Sequence, residues 1–141
     1  MNTGIRVDNS ACDNVCNGNF LESDLSVVSY NMHGYRQGKV LISNLIQTLS
    51  PDLVFLQEHW LTPDTLTKFN VEFSNYYAFG SSALGDMTES GPLVGRPFGG
   101  VMTLIRNDLL PVCECVNASE RFVIIKVGDV LCVNVYLPCL G

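Results

Sequence analysis

Three polar side chains stand where apolar runs of the chain end: Asn31 after LSVVSY, Glu58 after LVFLQ, and Tyr136 near the close of VLCVNVYLP. Their types suit chemistry at an anionic centre. A carboxylate with few other ligands around it can hold a hard divalent cation such as Mg²⁺ and leave positions open for water and substrate. A carboxamide and a phenol add neutral donors to phosphoryl oxygens without competing for the cation. Each residue also has an ordinary structural role open to it: Glu58 as an exposed carboxylate at a strand end, Asn31 as a turn former before Gly34, and Tyr136 as an amphipathic strand residue with its hydroxyl at the rim. Arg96, in the GRPFGG stretch, is either a solvated loop cation or a contact for a substrate phosphate. His59 follows Glu58 directly, and because neighbours on a strand point to opposite faces it reads as structural.

The elements that must position these residues follow from periodicity. LSVVSY and LVFLQ are short apolar runs bounded by polar residues, the pattern of buried strands. Between them, Val40, Leu41, Leu45, Ile46 and Leu49 recur at helical spacing, so Gln37 to Leu49 is a helix that Ser50-Pro51 ends. Strand, helix and strand in this order suggest a βαβ-like crossover with polar residues at the strand ends. Thr62 and Pro63 carry an N-cap and first-turn signal for a short helix to Asn70. NYYAFG reads as a strand and Ser81 to Pro97 as a long loop; FGGVMTLIR, RFVIIKV and VLCVNVYLP read as three strands, the last two joined at Gly128-Asp129. Residues 1–21, rich in Asn, Gly, Asp and Ser, read as a poorly ordered leader, with the folded part running from 24 to 141.

Composition narrows the partners. Eight Lys and Arg stand against fourteen Asp and Glu, a formal charge of −6, which argues against a dedicated nucleic-acid-binding module but not against a carboxylate-rich metal site. No run approaches the roughly 18 apolar residues of a membrane span, and MNTGIRVDNS lacks a secretory apolar core, so no membrane partner and an intracellular, cytoplasmic or nuclear location are expected. The six cysteines, at 12, 16, 113, 115, 132 and 139, lack the spacing of a zinc module, and Cys132 in an apolar strand reads as core filler.

The ordered set is more specific than its parts. Asn31-x-x-Gly34 after a strand, then a helix, then PDLVFLQE with Glu58, then GGV opening an apolar strand, then NVYLP with Tyr136, resembles the endonuclease/exonuclease/phosphatase superfamily over residues 24 to 141. SYNMHG, LQEHWLTP, GRPFGGVMTLI and VNVYLP are closest in feel to the endonuclease domains of non-LTR retrotransposons. The resemblance implies that Glu58 is the ligand of a Mg²⁺ cofactor, that Asn31 and Tyr136 are catalytic residues around the scissile phosphate, and that DNA is the partner of the complete domain. His33 stands where some abasic-site nucleases carry an acid, which weakens that branch. Cys139 replaces the Asn of a Y-x-P-N stretch, so a backbone contact there is in doubt.

The fold implied is α/β (α+β): half of a four-layered α/β sandwich, a mixed, largely antiparallel sheet with flanking helices. This half is expected to supply mostly one sheet and to leave its apolar inner face open, so that RFVIIKV and VLCVNVYL favour self-association, or packing against the missing carboxyl-terminal half of the fold. Neither the family's G-D-x-N nor its S-D-H stretch occurs in these 141 residues, so the chain is expected to be an inactive fragment of a Mg²⁺-dependent phosphodiesterase, with weak or no Mg²⁺ binding. Two alternatives stay open: a phosphatase acting on a phosphorylated small molecule or lipid, and a non-catalytic binding or scaffold module.

Overall fold

The computed structural model describes residues 3–7, 24–84 and 98–139. Within them eight strands form two sheets. The first runs β1-β2-β3-β5-β4 and comprises β1 (Thr3–Val7), β2 (Leu25–Asn31), β3 (Leu53–Gln57), β4 (Tyr76–Ser81) and β5 (Val101–Arg106). The second is an antiparallel meander of β6 (Cys113–Ala118), β7 (Phe122–Val127) and β8 (Val130–Val135). Only β2 and β3 are parallel, and α1 (Tyr35–Leu49) carries the chain between them. The segment expected to be one helix to Asn70 is divided into a 3₁₀ turn, Pro63–Thr65, and α2 (Lys68–Glu72). Thr62 donates its N–H to Thr65 Oγ1 at 3.1 Å, which closes the turn locally.

The apolar run of β3 is continuous because both of its faces are buried. Val54 and Leu56 join Met32, Ile42, Phe69 and Leu104 in a core beneath the helices, whereas Leu53 packs on the other side with Val101, Ile105, Val123, Ile125 and Val127. Helices, first sheet and second sheet are therefore three successive layers.

Two sequence expectations are corrected here. This half does not leave the inner face of its sheet open: β6 to β8 form a second sheet that covers it, and Val123, Ile125 and Val127 have no exposure. The first strand of that sheet, CECVNA, was hidden by its weak apolar alternation and by a register shift between Cys115 and Asn117. Within the segment expected to lack regular structure, Thr3–Val7 form a strand that pairs antiparallel with β2, because the edge of β2 offers unpaired backbone groups. The outer face of the second sheet keeps exposed apolar residues, among them Val116, Leu131, Val133 and Val135. No helix among the described residues is long and apolar enough to cross a membrane.

Candidate active site

Asn31 ends β2 and Glu58 follows β3, and the parallel register that sets Asn31 beside Gln57 brings both to the carboxyl edge of the first sheet. Tyr136 follows β8, at the adjoining end of the second sheet. Although 27 and 78 residues from Glu58, Asn31 and Tyr136 meet on its carboxylate: Asn31 Nδ2 donates to Oε1 at 3.2 Å, and the Tyr136 hydroxyl donates to the same oxygen at 2.5 Å. Asn31 Oδ1 in turn accepts the N–H of His33 at 3.0 Å. Arg96 lies outside the described residues.

The backbone that presents Glu58 is unusual. Glu58 and Trp60 have φ of 53° and 60°, a left-handed conformation that costs a non-glycine residue about 1–3 kcal/mol and persists only where the surroundings fix it. Here they do. Gly34 and Tyr35, at the start of α1, donate their N–H groups to the carbonyls of Glu58 and His59, both at 2.9 Å, so the loop caps a helix end that would otherwise hold unpaired donors. Trp60 N–H donates to Gly99 O at 3.1 Å. The Trp60 indole lies against Gly34, where an added Cβ would stand 2.7 Å from Cε3, and its Nε1–H reaches Glu58 Oε2 at 3.3 Å.

His59, between the two left-handed residues, is fully buried. Its Nδ1 accepts Leu61 N–H at 3.0 Å, so the proton sits on Nε2, which donates to Ser81 O at 3.1 Å. The ring meets Phe69 edge to face and leaves no room beside Gly100, where a Cβ would lie 2.4 Å from the imidazole. Burial pushes its pKa down to about 4 from 6.5, partly opposed by the bond to Ser81 O. Because the folded value is the lower one, His59 contributes stability that is full above pH 6.5 and is lost as pH falls toward 4. The loss amounts to about 3 kcal/mol. Urea unfolding at pH 7 and pH 4 checks this: stability should fall less in His59→Gln than in the parent, and equal falls would contradict it.

Electrostatics match the geometry. Burial works against the Glu58 charge, yet hydrogen bonds from Tyr136, Asn31 and Trp60, aided by His33, outweigh it and hold the carboxyl below its ordinary range. The same bond to Glu58, with burial and the carboxylate's charge, pushes the Tyr136 phenol up to about 12. At neutral pH the site therefore holds one carboxylate acceptor and three neutral donors. Among the described residues no group of three or more His, Cys, Asp or Glu could cage a metal ion. A lone carboxylate fits an ion of the Mg²⁺ kind, which keeps several waters and takes substrate phosphate as a ligand, and does not fit a closed Zn²⁺ or Ca²⁺ cage.

Sequence reasoning missed Trp60 as a Glu58 partner and Arg121 as a neighbour of the site. A cleft of about 200 Å³ is lined by Glu58, Phe98, Gly99, Glu120, Arg121 and Tyr136, among others. Cys132 is buried, burial raises its thiol pKa, and Cys113, Cys115, Cys132 and Cys139 are free thiols.

This fold is that of a known hydrolase class. Residues 28–133 match the Endonuclease/Exonuclease/phosphatase family, and the chain belongs to it. Asn31 and Glu58 fall inside the match and Tyr136 just beyond it. Members of the family generally depend on a divalent metal. The AP endonuclease LMAP of Leishmania major has a similar fold, with a TM-score of 0.59 at 16% identity over 82% of this chain and 40% of that one. An AP endonuclease from Archaeoglobus fulgidus gives 0.57 at 14% identity over 81% of this chain and 41% of that one. The 3′ phosphatase NExo from Neisseria, solved with a product DNA hairpin, gives 0.54 at 18% identity over 78% and 40%. The chain thus spans about two fifths of the length of these structures. A comparison with curated protein sequences found no match.

Proposed function

We propose that these 141 residues form the amino-terminal part of a Mg²⁺-dependent phosphodiesterase acting on DNA, with Glu58 as cation ligand and Asn31 and Tyr136 as catalytic residues. The convergence of Asn31 and Tyr136 on Glu58 carries this reading. A cation held at Glu58 would offset charge developing on the phosphoryl oxygens. Asn31 and Tyr136, whose donors rest on the Glu58 carboxylate, would turn them to the scissile phosphate, a phenol being protonated at neutral pH and so able to donate that bond. His59 takes no part in proton transfer, since both of its nitrogens are engaged inside the core. We assign the base and acid to the G-D-x-N and S-D-H stretches of the family's second half, and the 141 residues alone are then inactive. Arg96 remains a substrate contact within this proposal. The apolar outer face of the second sheet is where the rest of the fold, or a second copy, would pack.

The single tryptophan provides a test, because the indole of Trp60 hydrogen-bonds Glu58. Terbium, a luminescent stand-in for the cation, should emit on indole excitation, Mg²⁺ should displace it, and Glu58→Gln should abolish the signal. Emission that survives Glu58→Gln would remove Glu58 as the ligand.

A further inference from the structure

We propose that the cleft beside Glu58 and Tyr136 is the subsite for the nucleoside next to the scissile phosphate, with Phe98 stacking on its base and Arg121 holding the neighbouring phosphate. The proposal rests on the phosphodiesterase reading of the same site and adds the part of the substrate that it grips.

Both residues are exposed and sit at or beside hydrogen-bonded backbone. Phe98 is 52% exposed, yet it precedes Gly99, whose carbonyl accepts Trp60 N–H and whose φ of 66° leaves no room for a Cβ beside Ala83. Arg121 follows a turn in which Ser119 Oγ accepts the N–H groups of Arg121 and Phe122, and its carbonyl accepts Tyr136 N–H at 2.8 Å. The residue that carries the phenol is thus tied directly to the residue that carries the guanidinium. A single exposed phenylalanine means little on a protein surface. This one lines the same cleft as the hydrogen-bonded Glu58–Tyr136 pair.

The chemistry of the lining selects the ligand. Phe98, Ala83 and Pro138 give the cleft apolar, partly aromatic lining, and Arg121 gives it a planar cation. An aromatic base joined to a phosphate matches both, since any base offers a π face to a phenylalanine and a guanidinium binds phosphate through paired donors. Among the described residues Arg121 pairs with Glu120, at 3.6 Å and with both side chains about half exposed, a pair weak enough to yield to phosphate. Glu58 and Glu120 place two carboxylates against one guanidinium in the cleft, so binding of an anionic ligand should require the divalent cation.

The test compares thymidine 3′,5′-bisphosphate, the corresponding abasic deoxyribose bisphosphate and inorganic phosphate, titrated calorimetrically into the full chain with Mg²⁺ present. The base should improve affinity about tenfold over the abasic ligand. Phe98→Ala should erase that difference and Phe98→Tyr should keep it. Arg121→Gln should weaken both bisphosphates several-fold, flatten their salt dependence and leave inorganic phosphate unchanged. Equal binding of the nucleotide and abasic ligands by the parent, or an undiminished preference in Phe98→Ala, would overturn the subsite. Terbium emission from the same preparation separates the two readings. Glu58-dependent emission without base preference defeats the subsite alone, whereas no Glu58-dependent emission and no bisphosphate binding defeats the phosphodiesterase reading and the subsite together.

Discussion

Glu58→Gln, introduced into a chain extended through the family's G-D-x-N and S-D-H segments, is expected to lower Mg²⁺-dependent plasmid nicking by at least about a hundredfold. The substitution removes the site's charge and keeps its shape. A carboxamide oxygen can still accept from Asn31 and Tyr136, which now bond Oε1, while the amide nitrogen faces the Trp60 donor, so the folded chain should survive with only a small change in stability. What disappears is the anionic oxygen that a hard cation requires. The 141-residue chain itself should nick negligibly, because a site without a placed base and acid forgoes roughly 10²- to 10⁴-fold in proton transfer. Full activity in the extended Glu58→Gln protein, or robust Glu58-dependent nicking by the short chain, would show that other residues carry the chemistry.

The second large effect is on stability. Asn134 is 1% exposed and is the main polar tie between the sheets: its Nδ2 donates to Met102 O at 3.0 Å and Thr103 Oγ1 at 3.2 Å, and its Oδ1 accepts from Gln57 Nε2 at 2.8 Å. Asn134→Ala takes this donor from Met102 O and Thr103 Oγ1 inside the core and leaves a cavity, while the half-buried Gln57 keeps its bond to Ser29 Oγ; each buried group left unpaired costs about 1–3 kcal/mol. A loss of about 3–4 kcal/mol is expected, a large share of the roughly 5–15 kcal/mol that holds a typical domain together. Urea unfolding measures it, and a loss below about 1 kcal/mol, the scale of an ordinary exposed substitution, would contradict the role given to this residue. Terbium affinity should fall in the same variant, since Tyr136 lies two residues beyond Asn134 on the same face of the chain.

Much of this arrangement was legible in residue order, and the failures have identifiable causes. β2, α1 and β3 announce themselves because their apolar positions keep one period each and stop at Asn31, Pro51 and Gln57. The start of α1 at Tyr35 rather than Gln37 was not legible, since its first donors are satisfied by carbonyls of residues 58 and 59 and not by a local Ser or Asp. Trp60 could not be assigned to Glu58 because both residues lie beyond the end of β3 and adopt positive φ, which their types do not advertise. Arg121 reaches the site only through the return of β8 alongside β7, a long-range consequence of pairing Phe122 with Val135. His59 is buried as a structural residue, but the left-handed backbone at Glu58 and Trp60, rather than strand alternation, sets its direction.

The Tyr136–Glu58 bond joins residues that belong to different sheets. A ligand that engages both binds only the docked arrangement, so mass action makes it a clamp on the seam, adding about 1.4 kcal/mol for each tenfold of free ligand above its Kd. Thermal unfolding then becomes a ligand assay that needs no turnover, and it can rank cations and nucleotides on the chain as it stands.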